Sequence, residues 1–336
     1  MIDLDLQHAG GTALRQVLAM AVVGQQSVRL LRVRRGGLMR RHLAAVRMVA
    51  TLCSGRLAGD ELGSETVSLE PGRIRGDAFE FTIGGEGSVG QLLQAIVPML
   101  LTRKACDRPV KVVLRGATFC DHGQPVLAWR DTIRPLVESA GGSMQIDIEQ
   151  DAIVRRGGGR VVLQMNPAER LRPIKLLSPG TLVDRLATIH FAQLPFTVVQ
   201  REVAVLKKRL GWADEEIRPH QLDDSAGPMN VITLRLGGEH VVETIATPGH
   251  VGRRAESVAD LAAESATKWL GENVATTPDT FACLLPMLVL SGGTVTTSRL
   301  DERTRDLGRT LARMIGKTIT FEERPGRTWG VTVSSL

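Results

Sequence analysis

The sequence predicts an α/β (α+β) chain in which a large domain repeats a β-α-β-α-β-β unit three times and a smaller α/β domain is inserted. Two observations lead there. A helix followed by a turn and two strands recurs three times, and a stretch of about a hundred residues with its own pattern separates the second recurrence from the third. The first recurrence is RRHLAAVRMVATLCSGRLAG, apolar at i, i+3 and i+4, then ETVSLEPG (40–72). The second is WRDTIRPLVESAGGSMQIDIEQD, then GRVVLQMNP (129–167); the third is RTRDLGRTLARMIGKTITFEERPG, then WGVTVSSL (303–336). Ahead of each lies an apolar helix and a strand: ALRQVLAMAVVGQQSVRLLRV, QLLQAIVPMLLTRKACDRPVKVVLRG and TFACLLPMLVLSGGTVTTSRL. Such a unit cannot bury both of its faces alone. The three copies are therefore expected to pack their helices together behind sheets that face outward.

Between them, the pattern predicts a strand over 182–191, a helix over 198–210, strands over 230–236 and 240–246, and a helix over 255–270. The flanks LLSPG and ENVATTPD are turn-rich, as insertion points are. The expected division is 1–174 for repeats one and two, 175–274 for the insertion and 275–336 for the third repeat.

At 336 residues the chain is too long for one ordinary core, and 23% charged with 43% hydrophobic residues excludes disorder. No apolar run approaches ~18 residues, so no membrane partner is expected. The opening MIDLDLQ has neither a basic nor an apolar signal region, which points to the cytoplasm. Cys53, Cys106, Cys120 and Cys283 are scattered without a CxxC, as buried free thiols are. Asp121 and His122 beside Cys120 could ligate a metal, though an exposed loop accounts for them as well. RRGGGR (155–160) reads as a hairpin turn, and the four tryptophans as packing residues.

The charge is uneven. No Asp or Glu lies between Leu6 and Gly59, while Arg15, Arg29, Arg32, Arg34, Arg35, Arg40, Arg41, Arg47 and Arg56 do. These nine arginines against Asp3 and Asp5 leave +7 in a chain of net +6. Guanidinium forks suit phosphate oxygens, so an anionic partner is the favoured reading; a solvated basic face in a chain with only seven Lys is the other.

The runs RHLAAV (41–46), DELGSETVSLEPGRIRGD (60–77), IGGEGSVGQLLQAIVPMLL (83–101), GPMNVITL (227–234) and GRRAESVADLAA (252–263) resemble the RNA 3'-terminal phosphate cyclases, in order along nearly the whole chain. The resemblance implies the three-repeat fold, whose large domain is shared with carboxyvinyl transferases. It also implies ATP and a divalent metal as cofactors, and conversion of an RNA 3'-phosphate to a 2',3'-cyclic phosphate through an adenylated histidine. Several motif positions depart from the family. Asp301 stands where the nucleophilic histidine would be and Arg305 replaces an Asn; His8 replaces the metal-binding Glu, Thr12 a Gln, and Phe281 an Asp beside the nucleotide. The arginine loop is shortened to RVRRGGL, leaving Arg34 or Arg35 to stand in; Arg41 replaces a Gln, while Arg15, Arg40 and His42 match. Glu61, Gly63, Ser64, Gly87, Ser88, Gln94 and the run Gly157, Gly158, Gly159 are retained.

A carboxylate at Asp301 could accept an adenylyl group, but an acid preceding a helix more commonly caps it. The expectation is a catalytically degenerate relative that binds RNA ends or a ribonucleoprotein. Arg15, Arg34, Arg35, Arg40, Arg41 and His42 would hold phosphate, Ser88 and Gln94 would flank a nucleotide pocket, and no metal ligand is assigned. The alternatives are an active ATP- and Mg-dependent cyclase or nucleotidyltransferase with a displaced nucleophile, and a subunit whose basic face meets an acidic protein.

Overall fold

The computed structural model describes residues 1–7, 10–104, 108–120, 123–153, 158–222 and 227–334. The first repeat consists of β1 (Ile2–Asp5), α1 (Gly10–Val23), β2 (Val28–Leu31), α2 (Arg40–Cys53), β3 (Arg56–Ala58) and β4 (Thr66–Glu70). The second begins with β5 (Ala78–Ser88), α3 (Val89–Leu101) and β6 (Val110–Ala117). It continues through α4 (Val126–Ala128), a π turn, α5 (Arg134–Ser139), β7 (Ser143–Gln150) and β8 (Arg160–Asn166). The third opens with β9 (Ile174–Leu176) and is interrupted by β10 (Leu182–Ala192), α6 (Phe196–Leu210), β11 (Ile217–Gln221), β12 (Met229–Gly238), β13 (Val242–Pro248) and α7 (Ala255–Glu272). It resumes with α8 (Pro278–Ser291), β14 (Gly293–Thr297), α9 (Glu302–Met314), β15 (Ile319–Arg324) and β16 (Thr328–Val333).

The three repeats build the same sheet. Strand orders are β1-β2-β4-β3, β5-β6-β8-β7 and β9-β14-β16-β15; in each the first pair is parallel and the other two antiparallel. A parallel pair needs a crossover, and α1, α3 and α8 supply it. These helices are apolar almost all round because they meet one another at the centre of the main core, where Leu14, Leu92, Leu93 and Leu284 are fully buried. Along β6, buried and exposed side chains alternate, as in a sheet with one face to the core and one to water.

The inserted unit forms its own sheet, β11-β10-β12-β13, with α6 and α7 packed together over a second core around Trp269. Two strands differ from the sequence expectation. β11 has the sequence IRPHQ with only Ile217 buried, so it carries no alternation to detect. β9 has three residues, and its pairing with β14 draws Lys175 and Leu176 into the third sheet. The unit is tied to the repeats by apolar contacts of Phe119 with Ala192, Met229 and Val231, and by Glu243. The buried carboxylate of Glu243 accepts from the Thr277 N–H (2.8 Å) and the Thr280 hydroxyl (2.5 Å), closing the N-terminus of α8. Burial pushes that carboxyl up to about 7 against the pull of its donors. No helix among the described residues is long and apolar enough to cross a membrane.

Candidate functional site

A cleft of about 1,050 Å³ opens where the repeats meet. The first turns of four helices line it: Thr12 of α1, Arg41 of α2, Gly90 of α3 and Asp279 of α8. Each helix start carries roughly half a positive charge, so their convergence favours negative charge in the cleft, even though side chains already accept N–H groups at the starts of α3 and α8. Packing is close at two glycines, and at Gly90 it excludes a side chain. A Cβ on Gly11 would lie 3.0 Å from His42 Nε2 and 3.2 Å from Arg15 Nη1, and one on Gly90 would lie 2.4 Å from the Gln124 carbonyl.

Arg15 is buried at the base of the cleft. Its guanidinium donates to Gln94 Oε1 at 3.0 and 2.8 Å and to Thr12 Oγ1 at 3.4 Å, all neutral acceptors. Among the described residues no carboxylate pairs with it. Burial draws its pKa down to about 10, so the group stays charged at neutral pH. A buried cation without a counter-ion is costly, and an anionic ligand would offset that cost.

His42 has a different character. Its Nδ1 accepts the Met39 N–H at 3.3 Å, closing the start of α2 in place of a side-chain cap on Met39. Burial, then Arg41, Arg15 and Arg34, lower its pKa to about 4. The ring is therefore neutral at pH 7, and with Nδ1 accepting, the hydrogen sits on Nε2. His42 offers a ligand an N–H donor, not a nucleophilic lone pair.

The structure divides the nine arginines of the N-terminal segment. Arg29 and Arg32 pair with Asp3 and Asp5, Arg47 with Asp60 at 2.8 Å, and Arg56 with Glu70 at 3.2 Å. Arg15, Arg40 and Arg41 line the cleft; Arg34 lies near enough to depress His42, and Arg35 is exposed outside the lining. None of these five has an ion pair among the described residues. The sequence count of nine thus overstates the charge open to a partner.

The remaining candidates separate. Gln94 lines the cleft and holds Arg15. Ser88 is fully buried behind it, where its hydroxyl accepts the Gly90 N–H at 3.2 Å as the N-cap of α3. Asp301 lies away from the lining; its carboxylate accepts the Thr304 N–H at 2.9 Å and caps α9. Partial burial works upward on its pKa, but the donors of Thr304, with Arg303 and Arg299, hold it below the usual carboxylate range. Phe281 is fully buried in the main core. His8, Cys106, Asp121, His122, Arg155, Arg156 and Gly157 lie outside the described residues.

Sequence reasoning missed two carboxylates. Glu86, at the end of β5, and Asp279, in the first turn of α8, both line the cleft, although the motif comparison had suggested that its acids were lost. Glu86 was hidden in a glycine-rich run that reads as a turn but forms the end of β5, and Asp279 in a helix start. Among the described residues no three His, Cys, Asp or Glu gather as a metal cage. Two carboxylates in a cleft lined by arginines do fit a magnesium ion that would arrive bound to phosphate, since that ion keeps water and takes few protein ligands. Cys120 also lines the cleft, its thiol weakly bonded to the Gly123 carbonyl at 3.7 Å, while burial pushes the Cys283 thiol up to about 12.

Comparison with known proteins shows the family. A family model described as RNA 3'-terminal phosphate cyclase matches residues 6–321. A protein named RNA 3'-terminal phosphate cyclase from Ectopseudomonas mendocina is 33% identical over 306 residues, covering 90% of this chain and 89% of its own length. Proteins of the same name from Pseudomonas aeruginosa and Salmonella typhimurium are 32% and 31% identical, covering 100% and 87% of this chain and 98% and 86% of their own lengths.

Proposed function

Because the chain belongs to the RNA 3'-terminal phosphate cyclase family, we propose that its cleft binds phosphorylated RNA ends, alone or within a ribonucleoprotein, without forming a covalent adenylate. The observation that carries this reading is Arg15, a buried cation with only neutral partners, at the meeting point of four helix N-termini. Arg40 and Arg41 extend the cationic wall, and the neutral His42 adds a donor. Asp301, at the position of the family nucleophile, is engaged as a helix cap outside the cleft. Among the described residues Cys53 and Cys283 are buried thiols outside any disulfide, which suits the reducing cytoplasm, where we place the protein.

ATP with magnesium would be held by the same arginines together with Glu86 and Asp279, and would supply an activated phosphate. That fit favours a second reading, an active enzyme whose nucleophile is displaced to His42. It demands that Nε2 lose its proton and the Met39 N–H lose its acceptor, at a cost of about 1–3 kcal/mol.

Incubation with ATP labelled on its α-phosphate and with magnesium separates the two. We expect no labelled protein. An acid-labile adenylate that disappears in His42→Asn would overturn the first reading and establish the second. A 3'-phosphorylated RNA should bind in both cases. With three arginines on phosphate, its affinity should fall about 20-fold between 50 and 200 mM salt, from a log–log slope of about −0.7 per contact on a single strand.

A further inference from the structure

The cleft continues past Arg40 into a second groove of about 400 Å³ between α2 and the edge strand β5. Arg40 belongs to both hollows. One stripe of α2 forms the near wall, with Arg40, Leu43, Arg47 and Thr51 at helical spacing, and Phe81 stands on the far wall with Leu62 exposed nearby. Phe81 is parallel to Phe79, their rings 6.2 Å apart, which fixes its orientation in a chain that has only seven Phe and no Tyr.

The charges of the groove suit a polyanion. Its acid Glu80 is bonded to Arg115 at 2.6 Å, and Asp60 beside it holds Arg47 at 2.8 Å. Neither carboxylate is left to repel a phosphate, while Arg40 has no ion pair among the described residues. An apolar floor with a flat ring and a cation at its mouth offers bases a place to lie and a phosphodiester a place to begin. From Arg40 to Thr51 the helix rises about 16 Å, room for up to about five nucleotides stacked at ~3.4 Å each.

We propose that this groove receives the nucleotides preceding the terminal phosphate of a single-stranded RNA, with one base stacked on Phe81 and the backbone leaving the cleft past Arg40. The inference rests on the reading of the cleft as a site for RNA ends. It makes stacking a local contributor in a protein with few aromatic residues.

Calorimetry with 3'-phosphorylated oligouridylates of two and six nucleotides tests it. The hexanucleotide should bind at least about tenfold more tightly than the dinucleotide, the scale of one base–aromatic stack. Phe81→Leu keeps apolar bulk and should erase most of that advantage; thermal melting of the variant confirms that it is folded. Equal affinities for the two lengths, or a Phe81→Leu loss that is the same for both, would overturn the groove while leaving the cleft intact. If neither oligonucleotide binds at 50 mM salt, the reading of the cleft fails and this proposal fails with it.

Discussion

Two groups of arginines, drawn from the same fifty-nine residues, meet opposite fates. On the strands and strand ends of the first repeat Arg29, Arg32 and Arg56 each find an acid, as does Arg47 on α2. In the cleft, Arg15, Arg40 and Arg41 find none among the described residues. Composition treats the two groups alike, and only folding separates them, because the neutralising acids come from β1, from the loop after β3 and from β4. A basic segment is therefore not a binding face until its internal ion pairs are removed from the count.

The sharpest test of this division is Arg15→Met. Phosphate affinity should fall on the order of 100-fold, the scale of a buried charge-assisted contact. Stability should stay within about 1 kcal/mol of the parent, because the lost hydrogen bonds to Gln94 are offset by relief of a buried charge. A loss above about 3 kcal/mol in urea unfolding would make Arg15 a structural brace and erase the distinction between the groups.

A smaller effect is expected from Arg40→Ala, about tenfold in affinity for 3'-phosphorylated RNA, with the salt slope shallower by about 0.7. Its counterpart among the paired arginines, Arg29→Ala, should change neither affinity nor slope, since that guanidinium is occupied by Asp3 in an exposed pair. Equal losses in the two variants would mean that the surface pairs open to admit ligand.

The smallest effect concerns pH. Arg41 is one of the cations holding His42 near 4, so in Arg41→Ala the imidazole should titrate higher, as followed by its ring proton resonances. The sign follows from linkage. A folded pKa below the unfolded value of about 6.5 leaves this contribution to stability intact above pH 6.5 and erodes it as pH falls toward 4. The variant should lose less over that window, and an unchanged titration would place Arg41 away from the ring.

Much of the fold is legible in the sequence because helices such as α3 and strands such as β6 carry full apolar periods. What escapes is short or one-sided: β11 buries only Ile217, and β9 has three residues held by a partner more than a hundred positions away. At the site, Arg15 and Gln94, both singled out from the sequence, do line the cleft. Glu86 and Asp279 were not singled out, because their place depends on which way the end of β5 and the start of α8 face after three distant segments meet. Ser88 illustrates the converse: motif position suggested a nucleotide pocket, and a local backbone donor claims its side chain, while Asp301 caps α9 as an acid preceding a helix is expected to.

The meeting of four helix starts has a consequence for biogenesis. α1, α2 and α3 are synthesised early, whereas α8 follows the whole insertion and is fastened to it through Glu243. A nascent chain that has emerged only through its second repeat owns the arginines but not the enclosure. The cleft is thereby completed only in the finished molecule, and a ligand bound across it would reward completion by holding the earliest and latest parts of the chain together.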